Sequence, residues 1–305
     1  MMKNKFVVTI GFCVKNAEKT VGEAMESIVG QDFPHNLTEI IVVDGYSRDK
    51  TLKIIKDALS ADTMEYRVFF ENKGLGTARQ IVVDNSEGNY IVWVDGDMVL
   101  AKDYVRKQVE FMEQNPKVGV AGGRFMTLPK SSLVATLENI DWLMWDFESQ
   151  NKTVSAPVRN LYGGTIYRVR AIREAGGFDT KIRGSGEDFD AEIRISKAGW
   201  LFYFTTQALF SDRRKNTWLE LWHENFWFGY GGHYVLHKYH KSIPAQNSLV
   251  MLERPFKAFK LTRKKSSFLL PIQYVFKKLA WFSGFMKAHV EGYGHESHLD
   301  LENIN

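Results

Sequence analysis

Four short apolar runs in the first hundred residues constrain the fold most. They are Lys5–Val14 (KFVVTIGFCV), Glu39–Val43, Tyr66–Phe70 and Tyr90–Val94. Each has strand length and is rich in β-branched and aromatic residues. The segments between them read as helices. Residues 17–30 place Ala17, Val21, Ala24, Met25 and Ile28 near helical spacing, with Gly30 as a stop. Lys50–Leu59 follows a capping Ser47, and Ala78–Asn85 precedes the fourth run. Strands alternating with helices predict a wound, mainly parallel α/β sheet. In such sheets ligands bind outside the carboxyl ends of the strands.

The fourth run ends in two acids, Trp93-Val94-Asp95-Gly96-Asp97-Met98. Two residues apart on an extended chain, Asp95 and Asp97 point the same way. Their hard oxygen ligands suit a phosphate-bound Mg²⁺ or Mn²⁺. A solvated Asp-Gly-Asp turn would look the same in isolation. The second run likewise ends in an acid, Asp44-Gly45. That carboxylate can accept a hydrogen bond from a base N–H or a ribose hydroxyl, or serve as a turn Asp. Asn72–Arg79 (NKGLGTAR) brings two glycines, Thr77 and Arg79 to a helix start. Such an end attracts phosphate through free N–H groups and the helix dipole, although neither the P-loop nor the dinucleotide glycine pattern is present.

The pattern loosens after about residue 125. A helix is expected over Val134–Phe147, a short strand after Gly163-Gly164, a helix over Val169–Ala175 ended by Gly176-Gly177, and another over Phe189–Ala198. A further strand is expected over Trp200–Phe204. Gly184-Ser185-Gly186 leads into Glu187-Asp188-Phe189-Asp190, three carboxylates at a loop-to-helix junction. An acid there can act as a general base under a glycine-hinged loop, or simply favour the helix dipole. For Asp188 the company of the other acids favours function; for Asp190 the two readings are balanced.

Taken in order, these motifs resemble a family-2 glycosyltransferase of the GT-A fold. The resemblance is carried by Val14-Lys15-Asn16-Ala17-Glu18, Val42-Val43-Asp44-Gly45 with Ser47 and Thr51, Asn72-Lys73-Gly74 with Arg79, and Val94-Asp95-Gly96-Asp97. It continues through Gly163-Gly164-Thr165, Gly176-Gly177-Phe178-Asp179, and Gly186-Glu187-Asp188 with Asp190 and Arg194, covering roughly residues 5–210. It implies a mixed, Rossmann-like sheet flanked by helices over residues 1–215, with a nucleotide-binding half (1–120) and an acceptor half (121–215). An aromatic and basic helical extension would then occupy residues 216–305.

The resemblance also implies roles. Glu18 and Asp44 would hold the nucleoside of a UDP-, GDP- or dTDP-sugar, with Arg79 near the nucleotide. Asp95 would approach the ribose or sugar, and Asp97 would coordinate Mg²⁺ or Mn²⁺ on the diphosphate. Asp188 would be the base of a single inverting displacement, and Glu187 would orient the acceptor or the loop. Gly164, Asp190 and Trp218 would lie on the acceptor side. Many relatives carry a metal-reaching His where this chain reads Phe210-Ser211-Asp212-Arg213-Arg214. Asp212 or His223 would replace it, or the third ligand would be absent. The Gln-x-x-Arg-Trp signature of processive synthases and a multi-helix membrane domain are not seen, which favours transfer of one sugar at a time. The alternatives are a nucleotidyltransferase and a non-catalytic sugar-nucleotide or glycan-binding protein.

Composition sets outer bounds. Of 305 residues, 44% are hydrophobic and 25% charged, ordinary for a globular protein. The net charge of +4 does not indicate nucleic acid. Cys13, the only cysteine, excludes an internal disulfide and a Cys-rich metal site. The apolar amino terminus lacks a convincing cleavage site and reads as the first strand. Residues 254–265 carry six basic side chains and no acid, and the apolar stretch after them is interrupted by Pro271, Lys277 and Lys278. An interfacial amphipathic helix is expected, on an anionic membrane surface, or else a helix packed on the domain. The protein would be cytoplasmic, or peripheral on the cytoplasmic face, with a glycan or polyprenyl-phosphate-linked acceptor. His233 and His237 have an i, i+4 spacing that can bind zinc, and His240 follows. With no acid or Cys completing a set, they read as surface or acceptor-site residues. Trp142, Trp145, Trp218 and Trp222 sit at helical spacing and read first as core.

Overall fold

The computed structural model describes residues 5–126, 132–149, 153–154, 164–204, 206–213, 215–239 and 248–294. Its strands are β1 (Val8–Val14), β2 (Thr38–Asp44), β3 (Glu65–Phe70), β4 (Tyr90–Asp95), β5 (Met98–Leu100), β6 (Val118–Gly122), β7 (Arg124–Phe125), β8 (Thr153–Val154), β9 (Thr165–Arg168), β10 (Leu201–Tyr203) and β11 (Leu209–Asp212). Its helices are α1 (Val21–Val29), α2 (Thr51–Ser60), α3 (Leu75–Asn85), α4 (Tyr104–Gln114), α5 (Leu133–Ser149), α6 (Val169–Glu174), α7 (Glu187–Lys197), α8 (Trp218–Lys238), α9 (Ser248–Thr262) and α10 (Leu270–Val290). The chain divides into two compact units. One comprises residues 1–128, 149–183 and 187–213; the other comprises 129–148, 184–186 and 214–305.

The first unit is an eight-stranded mixed sheet in the order β3-β2-β1-β4-β9-β6-β10-β8. Strands β3, β2, β1 and β4 run parallel, and β9 inserts antiparallel between β4 and β6. The central strands read as continuous apolar runs because helices cover both faces, so alternation has no place there. Every residue of β2 is buried, whereas edge strand β3 is largely exposed.

Register matters for function. Val14 pairs with Asp44, and Cys13 pairs with Asp95. Asp44 and Asp95 therefore end neighbouring strands on either side of β1, two strand spacings apart, or about 10 Å.

A second, three-stranded sheet, β5-β11-β7, was not foreseen from the sequence. It pairs Met98 with Asp212 and Leu209 with Arg124. Strands of two to four residues carry too little periodic pattern to be recognised locally. Helix α1 begins at Val21 rather than at residue 17. Asn16 adopts φ 50°, and the Ala17 N–H donates to Thr51 Oγ1 (2.7 Å), which holds the preceding segment as a loop on α2.

The second unit is helical. Leu137, Ile140, Met144, Ala258 and Leu270 form its core, with Tyr274 against it. Helices α8 and α10 approach backbone to backbone. A Cβ on Gly229 would lie 1.8 Å from the Trp281 carbonyl, and one on Gly284 would lie 1.9 Å from the Phe226 carbonyl. Each helix thus presents a glycine to the other's carbonyl, and no larger residue fits. Trp218 and Trp222 pack edge-on against Phe276 at 4.9 and 5.4 Å.

The two lysines that break the apolar pattern part company. Lys277 is nearly buried and pairs with Glu138 of α5. Burial pushes the Glu138 carboxyl up, with Lys277 opposing. Gln273 Nε2 also donates to Glu138 (2.8 Å), and Tyr274 and Arg254 both reach Asp141 (2.7 and 3.1 Å). Lys278, by contrast, is exposed.

Candidate active site

At the carboxyl edge of the sheet the Asp44 carboxylate is buried. Its Oδ2 accepts the Ser47 N–H (2.9 Å) and its Oδ1 the Ser47 hydroxyl (2.6 Å). This is an Asx turn, the alternative role the sequence left open. The turn sends Tyr46 to φ 56° and sets its exposed ring 5.6 Å from that of Phe70. The cleft there is lined by Lys15, Asp44, Tyr46, Arg48, Phe70 and Asn72. Glu18 is exposed beside this loop, and its carboxylate accepts the Lys50 N–H (3.1 Å). Neither Tyr46 nor Phe70 was singled out in the sequence, because an exposed aromatic at a turn has no periodic signature.

The glycines of the 72–79 segment serve packing rather than a phosphate cradle. A Cβ on Gly74 would meet the Arg183 backbone at 2.5 Å, and one on Gly76 the Asp179 carbonyl at 2.3 Å. Their amides are already bonded. Lys73 and Gly74 donate to Glu71 Oε2 (2.8 and 2.9 Å), and Gly76 donates to the Ile182 carbonyl (3.2 Å). With the Gly74 and Gly76 N–H groups already bonded, fewer donors of this helix start are left for an anion than its glycines suggested.

Arg79 stands instead inside a group of carboxylates. Its side chain is only 12% exposed, and its Nε lies 3.1 Å from Glu187 Oε1. The guanidinium stacks over Trp93 (5.0 Å) and Phe178 (5.8 Å), rings that meet edge-on at 5.4 Å. Burial alone would lower the pKa of Arg79, but Glu187, Asp188 and Asp95 outweigh it and hold the cation firmly charged. Glu187 is pushed well above the ordinary carboxylate range by burial and then by Asp188, with Arg79 opposing. Glu192 moves the same way for the same first two causes, and it accepts the Tyr167 hydroxyl (3.1 Å). The Cys13 thiol is pushed up to about 12 by burial, which makes it no nucleophile.

Asp188 is half-buried beside these groups in the first turn of α7, and its Oδ1 accepts the Phe189 N–H (2.7 Å). Asp190 is fully buried, with Arg194 Nη2 on its Oδ2 (2.6 Å). Arg194 in turn donates to the Ala175 and Gly177 carbonyls (2.5 and 2.6 Å). The structure thus commits Asp190 to joining α7 to the glycine turn after α6. Gly164, at φ 51°, is enclosed by the Phe210 ring and the Tyr104 hydroxyl, which a Cβ would meet at 2.7 and 2.8 Å. Its place is explained by packing. Gly163 lies outside the described residues.

Asp95 is exposed and Asp97 half-buried in the turn between β4 and β5. The Asp97 carbonyl accepts the Arg213 N–H (3.0 Å), and the register sets Asp212 opposite Met98. Asp95, Asp97 and Asp212 thus lie on adjacent strand segments, and carboxylate oxygen is the ligand type that suits Mg²⁺ or Mn²⁺. His223 lies on the exposed side of α8 and Trp218 at its start, both in the helical unit.

A mixed sheet whose acidic edge joins a strand-end Asp, an Asp-x-Asp turn and a glutamate-aspartate helix start is a GT-A fold. The chain belongs to glycosyl transferase family 2, whose model matches residues 9–176. It is 22% identical over 223 residues to a poly-β-1,6-N-acetyl-D-glucosamine synthase of Staphylococcus epidermidis, covering 72% of this chain and 53% of that protein. It is 32% identical over 145 residues to an uncharacterized glycosyltransferase of Haemophilus influenzae, covering 46% of this chain and 57% of that protein. The chain thus spans about half the length of these curated relatives. Among solved structures it resembles a mannosyltransferase of Pyrobaculum calidifontis in complex with GDP-Man and Mn²⁺. The TM-score is 0.57 at 17% identity, covering 93% of this chain and 73% of that one. The likeness is one of fold.

Proposed function

We propose that this chain is an inverting glycosyltransferase that moves one sugar from a nucleotide sugar to an acceptor hydroxyl or phosphate. The observation that carries the reading is the register of the carboxyl edge. Asp44, Asp95 and Asp97 line one side of the sheet, and Arg79 ties that edge to Glu187 beside Asp188. The nucleoside would lie in the cleft at Asp44, its base against the Tyr46 and Phe70 rings. A divalent cation on Asp95, Asp97 and Asp212 would supply charge neutralisation of the diphosphate. The Mn²⁺ in the complex of the mannosyltransferase with the same fold supports that assignment.

Asp188 would take the acceptor proton as the acceptor oxygen bonds to C1 and the bond from C1 to the diphosphate oxygen breaks. General-base help of this kind is worth about 10²–10⁴ in rate. Glu187 and Arg79 would hold Asp188 in place, since both lack the exposure to reach an acceptor themselves.

The acceptor would be lipid-linked, and α10 supports this. Ile272, Val275, Leu279, Phe282, Met286 and Val290 are all exposed along one side of the helix, opposite its buried Ala280, Gly284 and Ala288. Exposed Lys278 borders that stripe, and exposed Arg263, Lys264 and Lys265 precede it. An apolar strip with basic flanks suits an anionic membrane surface. Among the described residues, no helix is long and apolar enough to cross a membrane.

The deciding experiment is thermal unfolding with UDP-, GDP- and dTDP-sugars and Mn²⁺ or Mg²⁺. One nucleotide series should raise Tm only with metal, and Asp97→Ala should abolish the rise. Stabilisation that persists in Asp97→Ala would sink the metal assignment. Release of pyrophosphate in place of nucleoside diphosphate would identify a nucleotidyltransferase.

A further inference from the structure

In the helical unit, three histidines far apart in sequence meet. His233 and His237 stand one turn apart on α8, and His289 comes from the last turn of α10. One ligand nitrogen from each lies within 4.8 Å of the other two. The sequence showed only the pair on α8, with nothing to complete it. The close glycine packing of α8 on α10 supplies the third, because it draws the two backbones together one turn away.

We propose that His233, His237 and His289 form a binding site for one zinc-class transition-metal ion, distinct from any cation on Asp95 and Asp97. The geometry around His233 is the first reason. It is fully buried, and its Nδ1 lies 2.6 Å from the Tyr293 carbonyl oxygen. A carbonyl can only accept, so Nδ1 carries a proton, and in the neutral ring Nε2 presents a lone pair. Metal-binding histidines are commonly oriented in this way, by an outer carbonyl that sets the tautomer.

The second reason is spacing. His233 Nε2 lies 3.2 Å from His289 Nδ1. Two nitrogens on a tetrahedral zinc with bonds of about 2.0–2.1 Å sit about 3.3 Å apart. That edge is already formed, and His237, whose ring lies 4.2 Å from that of His233, needs only a side-chain adjustment to close the triangle.

The third reason is the donor set. Three imidazoles favour zinc, copper, nickel or cobalt over magnesium, which prefers oxygen. Glu291 is engaged by Tyr230 and Lys287 (2.9 and 2.6 Å), which leaves the set all-nitrogen. His237 is half-buried and His289 exposed, so the ion has an entry path and a fourth position open to water. The site would staple α8 to α10. Helix α8 also bears Gly231, where a Cβ would lie 1.7 Å from the Ser185 carbonyl. Locking α8 thus stiffens the platform under the Gly184–Gly186 loop.

The test uses the tag-free full chain, stripped with a chelator and titrated with Zn²⁺ and Co²⁺. One equivalent of Zn²⁺ should bind and raise Tm, and Co²⁺ should give the intense visible bands of a tetrahedral centre. His289→Ala and His237→Ala, both away from the deepest packing, should each weaken binding about tenfold or more and abolish the cobalt bands. Asp95→Asn/Asp97→Asn should leave both readouts unchanged. Zinc binding that survives both histidine variants, or that is lost in the aspartate variant, would overturn the assignment. So would the absence of stoichiometric uptake by the folded wild-type chain.

Discussion

Replacing Arg79 by Met tests the electrostatics of the candidate site. Met keeps an unbranched apolar stem of similar reach on Trp93 and Phe178 and retains favourable sulfur–aromatic contact. What is lost is the cation 3.1 Å from a buried carboxylate. Two unit charges about 4 Å apart interact by about 4 kcal/mol at an effective dielectric constant of 20. At a pH where Glu187 is ionised, removing its partner costs about 3–5 kcal/mol because the remaining buried charge is stranded. For a unit of this size that is a fall in Tm of about 10 °C.

The loss should depend on pH, with a defined sign. Glu187 already holds its proton above its ordinary 4.5 through burial and Asp188, and Arg79 is the principal opposing charge. Without Arg79 its folded value rises further. Between 4.5 and that value the folded state binds more protons than the unfolded state, so stability falls as pH rises, by at most about 1.4 kcal/mol per unit. Thermal unfolding of both proteins at about pH 6 and about pH 9 should therefore show a wider gap at the higher pH. Adding Glu187→Gln to Arg79→Met should recover much of the stability there, as expected of directly coupled residues. A gap that is constant with pH, or wider at the lower pH, would refute the argument. So would a double variant no more stable than the single one.

Asp188→Asn should lower the transfer rate by about 10²–10⁴ while leaving the donor-induced rise in Tm intact; loss of both would mean that Asp188 binds rather than catalyses. Gly231→Ala should destabilise the helical unit by about 1–3 kcal/mol, read by denaturant unfolding, because its methyl meets the Ser185 carbonyl; a neutral result would show that the loop moves freely from α8. Replacing Leu279 and Phe282 together by Ser should release the protein from anionic vesicles in a flotation assay without lowering its Tm, since both face solvent; unchanged flotation would remove α10 from the membrane reading.

The parallel half of the sheet was legible because its strands are buried on both faces and interrupted by helices of regular period. The apolar runs from Lys5, Glu39, Tyr66 and Tyr90 became β1 to β4. The strand-end acids were legible for a related reason: Asp44 and Asp95 follow runs that can only be strands. Asp190 and Gly164 show the limit. Both belong to motifs that read as functional, yet Asp190 is committed to Arg194, and Gly164 occupies a left-handed position between Tyr104 and Phe210. A motif names the residue types, and their partners come from elsewhere in the chain.

By itself, the sequence determined the α/β class, the order of β1 to β4 with the helices between them, and the supply of carboxylates at strand ends. Those follow from local period and from the chain's own covalent order. Tertiary structure decided what each polar group faces. It set the glycines of residues 74–76 against the backbone of Asp179 and Arg183. It surrounded Arg79 with four acids from two separate segments, and it brought His289 to a histidine pair more than fifty residues away. Such convergence depends on packing between elements distant in the chain, and no local pattern records it.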